Sequence, residues 1–304
     1  MRTKNCDVTA IQLSICDSRF AIAPAGAGRN PFFAILSIRR SPFDIRHSPS
    51  EIQPMVLKGT VALVTGGAKR VGRAIALELA RGGCDVGIHY RRSRAEAEEV
   101  VVQITQMGRR AVAVEGDLSD PTSWPRIVQG TVGGLGRLDI LINNASMFLP
   151  DSGESKDSLK GFDPKLWDEM LRTNLTAAVA LCHHARPYLA ASGKGKMVNL
   201  CDIAAEHPWS DHLAYCVSKA GLVAATKALA RALAPEIQVN GVAPGIAVFP
   251  DSYSDDLRRQ LVGRVPLARP GTPEEVAVLV RFLAESADYI TGQIIPIDGG
   301  RSLV

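Results

Sequence analysis

The chain has 304 residues, 46% hydrophobic and 22% charged, an ordinary soluble composition with ample material for a core. A formal net charge of +4, part of it in the N-terminal stretch, is too small to argue for a nucleic-acid partner. No apolar run approaches the roughly 18–20 residues of a membrane span, so none is expected. The six cysteines (Cys6, Cys16, Cys84, Cys182, Cys201 and Cys216) show no Cys-x-x-Cys spacing and read as buried thiols of a reducing, cytoplasmic compartment. His183 and His184 are sequential and point two ways around a helix, so no metal site is expected.

Residues 1–54 carry Phe20, Phe32, Phe33 and Phe43 among seven basic and four acidic residues, without a sustained period. Neither the apolar core nor the cleavage site of a secretory signal is clear, and the acidic residues weigh against a transit peptide. The reading taken is that translation starts at Met55 and that residues 1–54 form a poorly ordered extension. From Val56 onward one domain is expected.

TVALVTG (60–66) is a short apolar run ending in glycine, and residues 70–82 follow as a helix. DVGIHY (85–90) is a second strand, 93–107 a charged helix, AVAVEGD (111–117) a third strand and LDILINNA (138–145) a fourth. The polar stretch 151–163 is a loop. Helical patterns cover 164–192 and 211–234, with strands at KMVNLCD (196–202) and IQVNGVAPG (237–245). A helix at 273–285 precedes a last strand, QIIPID (293–298). Strands rich in Val and Ile alternating with helices predict a single-domain, Rossmann-type, doubly wound parallel sheet with helices on both faces.

The first strand runs into TGGAKRVG (65–72). Glycines at such a strand–helix turn let a pyrophosphate approach backbone N–H groups at a helix N-terminus. After the second strand no carboxylate stands ready for ribose hydroxyls; Arg91, Arg92 and Arg94 stand there with Ser93 instead. An arginine fork fits a 2′-phosphate, so NADP(H) is the expected cofactor.

Tyr215 and Lys219 lie four residues apart, and Asp202 stands thirteen residues before the tyrosine. On a helix the pair shares a face. An ammonium beside a phenol favours the phenolate and would bring the tyrosine's pKa down from about 10. The pair reads as a proton donor and its tuner, against the alternative of a surface pair on an amphipathic helix.

With these pieces in hand, residues 56–304 resemble the short-chain dehydrogenase/reductases. The matching elements are TGGAKRVG, GDL (116–118), NNAS (143–146), Asn174, Tyr215 with Lys219, PG (244–245) and DGG (298–300). Two positions depart from the common pattern, Arg70 for glycine and Asp202 for serine. Both match the pteridine reductase branch, which includes the dihydromonapterin reductases, as do HYRRS (89–93) and Phe148.

The resemblance implies a catalytic set of Asn174, Asp202, Tyr215 and Lys219, with Asn174 anchoring a water in a proton relay. It implies cofactor contacts at Thr65, Gly66, Lys69, Arg70, Val71, His89, Tyr90, Arg91, Arg92, Ser93, Asp117, Leu118, Asn143, Ala145, Ser146, Lys219, Pro244 and Gly245. Asp117 would lie near the adenine, Asn143 would line the cleft, and Lys219 would hold the nicotinamide ribose. Substrate contacts would come from Arg70, Ser146, Phe148, Asp202 and Tyr215, with Phe148 stacking on a pterin. The implied partners are a pterin-like small molecule and three further copies, a homotetramer built partly through the helices at 164–192 and 211–234.

The expected activity is NADPH-dependent reduction of a dihydropterin. A carbonyl reductase, such as a 3-oxoacyl-(acyl carrier protein) reductase, is the alternative, and a catalytically silent NADP(H) sensor a third. Trp209 reads equally as a pocket wall or as a packing residue. Cys201 reads as a buried strand residue rather than a nucleophile.

Overall fold

The computed structural model describes residues 56–150, 159 and 162–304. The expected N-terminal extension, and most of the expected loop at 151–163, lie outside the described residues.

Among the described residues seven strands form one parallel sheet: β1 Val61–Val64, β2 Asp85–Tyr90, β3 Ala111–Glu115, β4 Ile140–Asn143, β5 Gly195–Leu200, β6 Ile237–Pro244 and β7 Ile294–Ile297. Their order is β3-β2-β1-β4-β5-β6-β7. The helices are α1 Arg70–Arg81, α2 Arg94–Gln106, α3 Ser123–Leu135, α4 Pro164–Leu171, α5 Ala177–Ala191, α6 Leu213–Leu233, α7 Asp255–Val262 and α8 Pro273–Glu285.

The inner strands are mostly apolar because both of their faces are buried, and their two-residue period divides the core. Ala62, Val64, Ile140, Ile142, Val198 and Val242 join a core with residues of α1, α2 and α8. Leu63, Leu141, Met197 and Val239 point the other way, against α3, α5 and the end of α6.

β1 pairs with β2 on one side and β4 on the other. The chain therefore winds outward in both directions from β1, and the carboxyl ends of β1 and β4 flank the crevice where such sheets hold ligands.

Two helices escaped the sequence reading. α3 carries Pro125, Gly130, Gly133 and Gly134, residues that individually disfavour helix and are outweighed by Ile127, Val128 and Leu135 packing into the core. α7 is only eight residues long and buries no residue fully, so its short stripe of Leu257, Leu261 and Val262 was too little to mark it. The single helix expected over 164–192 is two helices joined by a π turn, Arg172–Thr176.

α6 is long and apolar enough to cross a membrane by length and composition, with mean hydropathy 1.2, contrary to the expectation that no run would qualify. Half of that window is buried in the protein, and its face carrying Ala214, Tyr215, Ser218, Lys219 and Leu222 packs inward. Cys84, Cys182, Cys201 and Cys216 are buried, and among the described residues they form no disulfide.

Candidate active site

The turn after β1 is a backbone cradle that only glycine permits at two points. Gly66 has φ of +62°, in the left-handed region that favours glycine. At Gly72, in the first turn of α1, a Cβ would lie 2.1 Å from the Gly66 carbonyl oxygen. Between them Arg70 sits at φ of +49°. An arginine there bears strain of about 1–2 kcal/mol that a glycine avoids. Its guanidinium reaches Asp251 at 3.5 Å, with both side chains exposed. Lys69 pairs with Glu96 of α2 at 2.7 Å.

Thr65 does not face this cradle. It is 1% exposed, and its hydroxyl accepts the amides of Asn144 and Ala145 while donating to the Ile142 carbonyl. Asn144 in turn donates to the Thr65 carbonyl at 2.8 Å. The two form a strut between the ends of β1 and β4. Asn144 was missed as a site residue, although the doubled asparagine of NNAS was its signal. Asn143, expected to line the cleft, turns its side chain into the core and donates to Asn199 Oδ1 at 2.9 Å. It alternates with Asn144 across the end of the strand, and only one of the two can face the turn.

His89 and Tyr90 are also beneath the surface. His89 accepts the Gly66 amide at Nδ1 (3.1 Å), and its Nε2 meets the Gly116 carbonyl at 3.1 Å. It therefore joins the glycine turn to the end of β3 rather than facing a ligand. Tyr90 is buried in the core, and its hydroxyl donates to Glu115.

Burial pushes the His89 imidazole down to about 4. Its neutral form is the folded form, so between pH 6.5 and 4 the unfolded chain binds a proton that the folded chain refuses. Stability should fall as pH drops through that window, by on the order of 2 kcal/mol at pH 4.5. His89→Asn keeps an acceptor for Gly66 and cannot titrate. Urea midpoints at pH 7 and 4.5 should converge in the variant; an unchanged difference would assign the acid sensitivity elsewhere.

Past β2 the basic residues are unequal. Arg94 is committed to Glu115 at 2.8 Å and Glu98 at 3.8 Å, and Arg91 lies 3.9 Å from Asp117. Among the described residues neither the Arg92 guanidinium nor the Ser93 hydroxyl makes an ion pair or hydrogen bond, although the Arg92 charge is felt by Asp117. Asp117 accepts the amide and hydroxyl of Ser119. Burial opposes its charge, but those bonds and then Arg91 and Arg92 hold its carboxyl below the usual range. Leu118 is buried, and its carbonyl accepts the Trp124 indole. Val71 is half-buried in α1.

At the carboxyl end of β5, Asp202 begins a short turn, Oδ1 accepting the Ala204 amide at 2.8 Å. Tyr215, near the start of α6, donates its hydroxyl proton to Asp202 Oδ2 at 2.7 Å. One turn on, Lys219 donates to the Leu200 carbonyl at 2.7 Å and lies 5.6 Å from the centre of the Tyr215 ring.

This arrangement corrects the expectation that Lys219 lowers the tyrosine. Burial, then the Asp202 charge, push the Tyr215 phenol well above its ordinary value. The ammonium stands over the ring rather than at the hydroxyl, and is itself lowered by burial. Burial raises Asp202, against the Ala204 amide, Tyr215, Lys219 and Arg301.

Asn174 lies in the π turn, a geometry frequent at functional sites. Its Oδ1 accepts the Met147 amide at 2.7 Å, while Nδ2 donates to the Met147 carbonyl and Ser218. The side chain thus pins the segment after NNAS to α6. Ser146 is exposed beside it. Phe148 stacks on His212 at 4.6 Å and meets the Tyr215 ring edge-on at 4.8 Å. His212 was not anticipated, and it covers one ring face of Phe148. Trp209 stacks on Tyr215 at 6.2 Å within the same cluster, so it is a packing residue behind the tyrosine. Burial pushes Cys201 up to about 11, which excludes a resident thiolate nucleophile. Pro244 and Gly245 close the far side, Gly245 donating to Ile297 at 3.0 Å.

Among the described residues no cluster of His, Cys, Asp or Glu is placed to hold a metal ion. The family described as enoyl-(acyl carrier protein) reductase matches residues 66–302. The chain belongs to this family of short-chain dehydrogenase/reductases.

Among curated relatives of this short-chain dehydrogenase/reductase, the 3-oxoacyl-(acyl-carrier-protein) reductase FabG of Staphylococcus aureus is 36% identical over 244 residues. That alignment spans 79% of this chain and 96% of the relative. Among solved structures, FolM alternative dihydrofolate reductase 1 from Brucella canis, complexed with NADP, superposes with a TM-score of 0.75 and 33% identity. It covers 82% of this chain and 96% of its own. The Brucella suis protein of the same name, also in complex with NADP, gives 0.75 and 34%, covering 82% and 97%.

Proposed function

We propose that this chain is an NADPH-dependent reductase of a dihydropterin or related pteridine, with Tyr215 as the proton donor. The observation that carries this reading is the hydrogen bond from Tyr215 to Asp202, a carboxyl group where carbonyl reductases of the family carry a serine. A carboxyl group there, its protonated form favoured by burial, can pass a proton through Tyr215 to a ring nitrogen, a relay that a serine does not supply.

The chain's residues fit the cofactor. Gly66 and Gly72 let the turn pack directly on α1 and on the Asn144–Ala145 end of β4, and the N-terminus of α1 held there, beside Lys69, Arg70 and Val71, suits a pyrophosphate. Arg92 and Ser93 suit a 2′-phosphate, and the Brucella proteins were solved with NADP. Asp117 and Leu118 border the adenine side, Ala145, Ser146, Pro244 and Gly245 the nicotinamide side, and Lys219 the ribose. Bound NADPH supplies a hydride to the carbon of a C=N bond.

Tyr215 gives its proton to the nitrogen of that bond, leaving C–H and N–H where the double bond stood. Asp202, held protonatable above the usual carboxylate range by burial, returns a proton to the phenolate. Solvent then restores the carboxyl group. Phe148 would meet the flat ring on the side away from His212, and Arg70 would stand at the pyrophosphate within reach of both ligands.

The reading is tested by following NADPH oxidation with 7,8-dihydrobiopterin and with an acetoacetyl thioester. The FabG relatives favour the second substrate, and turnover of the thioester alone would sink the pterin reading. Binding of NADPH without oxidation by either would make the chain a silent binder. Asp202→Ser should lower kcat for the pterin by at least about tenfold. Because the acid form is the donor, wild-type kcat should fall as pH rises through the raised Asp202 range. That limb should vanish in the serine variant, and its persistence would assign the titration to another group.

Arg92 carries the cofactor preference. Arg92→Ala should raise the KM for NADPH by roughly 10–100-fold and leave NADH unaffected, the scale of a charge-assisted phosphate contact. Arg94→Ala, whose arginine is already paired, should change the ratio little; the reverse pattern would move the phosphate site. Assembly as a homotetramer is part of the same proposal. It is supported by exposed Val179 and Val217 on α5 and α6, and size-exclusion chromatography checks it.

A further inference from the structure

Beyond β7 the chain ends in a fixed turn. Asp298 accepts the Gly300 amide at Oδ1 (2.9 Å) and the Ser302 amide at Oδ2 (2.7 Å). Gly299 and Gly300, at φ of +64° and +86°, lie against Val265 and Pro266, the residues that follow Arg264. The turn thereby holds Arg301, half-buried, on the rim of the sheet's carboxyl end, two strands from Asp202.

Arg301 has no ion pair or side-chain hydrogen bond among the described residues. The carboxylates around it are already engaged. Both oxygens of Asp298 hold backbone amides, and those of Asp202 hold the Ala204 amide and the Tyr215 hydroxyl. Its other charged neighbour is Arg264, equally unpaired among the described residues. Half-burial and then this like charge hold Arg301 below the ordinary arginine range. A half-buried guanidinium without an ion pair, held by its turn against the two residues that follow a second unpaired arginine, is unfavourable without an anion to meet it.

We infer that Arg301, with Arg264 beside it, recognises an anionic group, a carboxylate or a phosphate, carried on the substrate beyond the ring that is reduced. This rests on the pteridine reading above and narrows it. The two arginines meet the substrate's tail, whereas the cradle at Gly66 and Arg92 at the end of β2 serve the cofactor. The substrate's ring stands between, at Tyr215 and Phe148.

The test compares three substrates of one ring type with the full chain. These are 7,8-dihydrofolate, with a carboxylate tail; 7,8-dihydroneopterin triphosphate, with a phosphate tail; and 7,8-dihydrobiopterin, with a neutral one. Arg301→Gln should raise KM for an anionic substrate by about tenfold, the scale of a charge-assisted contact. KM for dihydrobiopterin should stay within about twofold, and so should kcat for all three. Arg301→Lys should recover part of the loss, and Arg264→Gln should give a smaller rise in the same direction.

An effect confined to dihydrofolate identifies the anion as carboxylate; one confined to the triphosphate identifies phosphate. Equal KM changes for charged and neutral substrates, or none, overturn the inference. So does a drop in oligomeric state of Arg301→Gln, which would place the arginine in a subunit contact. If wild type turns over no pterin, the pteridine reading fails and the inference with it. If wild type reduces all three but Arg301→Gln leaves their ratio untouched, only the inference fails.

Discussion

Tyr215→Phe is expected to lower kcat for pteridine reduction by at least ~10²-fold, the scale of a lost general acid. The ring and its packing against Phe148 and Trp209 survive the change. What disappears is the hydroxyl that donates to Asp202, so the carboxyl group loses one of its two hydrogen-bond partners. Its protonated form is favoured further, since the bond to Tyr215 lowers it in the wild type. A protonated Asp202 without the phenol is held by the Ala204 amide in its own turn. It therefore cannot take the tyrosine's place. NADPH affinity, followed by fluorescence titration, should change far less than kcat. A variant that turns over at near wild-type rate would remove Tyr215 from the mechanism.

Gly72→Ala should be the most damaging small substitution. The added methyl would meet the Gly66 carbonyl oxygen at 2.1 Å and Asn144 Nδ2 at 2.5 Å. Neither atom is the end of a flexible chain. The first is turn backbone, and the second is fixed by its bond to the Thr65 carbonyl. α1 would have to move away from β1, opening the cradle and breaking the Thr65–Asn144 strut. A loss of about 3 kcal/mol in chemical denaturation and no detectable NADPH binding are expected. Gly133→Ala is the control: it lies in α3, with open space where its Cβ would stand. It should gain up to about 1 kcal/mol. If Gly72→Ala were as stable as wild type, the tight contact between α1 and the turn would not be a constraint.

β2 and α8 fall on the residues predicted for them because their patterns are unmixed. β2 is a short, fully buried run, DVGIHY, centred on Val86 and Ile88. α8 opens on Thr272 and Pro273 with a capping box closed by Glu275. α3 was hidden because its glycines carry a local penalty that only tertiary packing reveals as affordable. In the site, sequence spacing located Asp202, Tyr215 and Lys219 but not the direction of their coupling. The four-residue spacing says that the two share a face. It does not say that the ammonium stands above the ring while a carboxyl group occupies the hydroxyl. The same limit applies to Thr65, Asn143, His89 and Tyr90. Motif position put them at the cofactor end of the sheet, and strand alternation turned their side chains under it.

The π turn between α4 and α5 has a consequence for how one stretch of chain serves two packing environments. In an uninterrupted helix Met170, Ala177 and Leu181 would share a face, being seven and eleven residues apart. One extra residue in the turn offsets the two halves by about 100°. Met170 consequently packs with Tyr215, Ala204 and Ala214. Ala177 and Leu181 pack with Leu141 and Met197 under the sheet. The inserted residue acts as a phase shifter, letting the wall around the proton donor change without re-indexing the helix that carries the central strands.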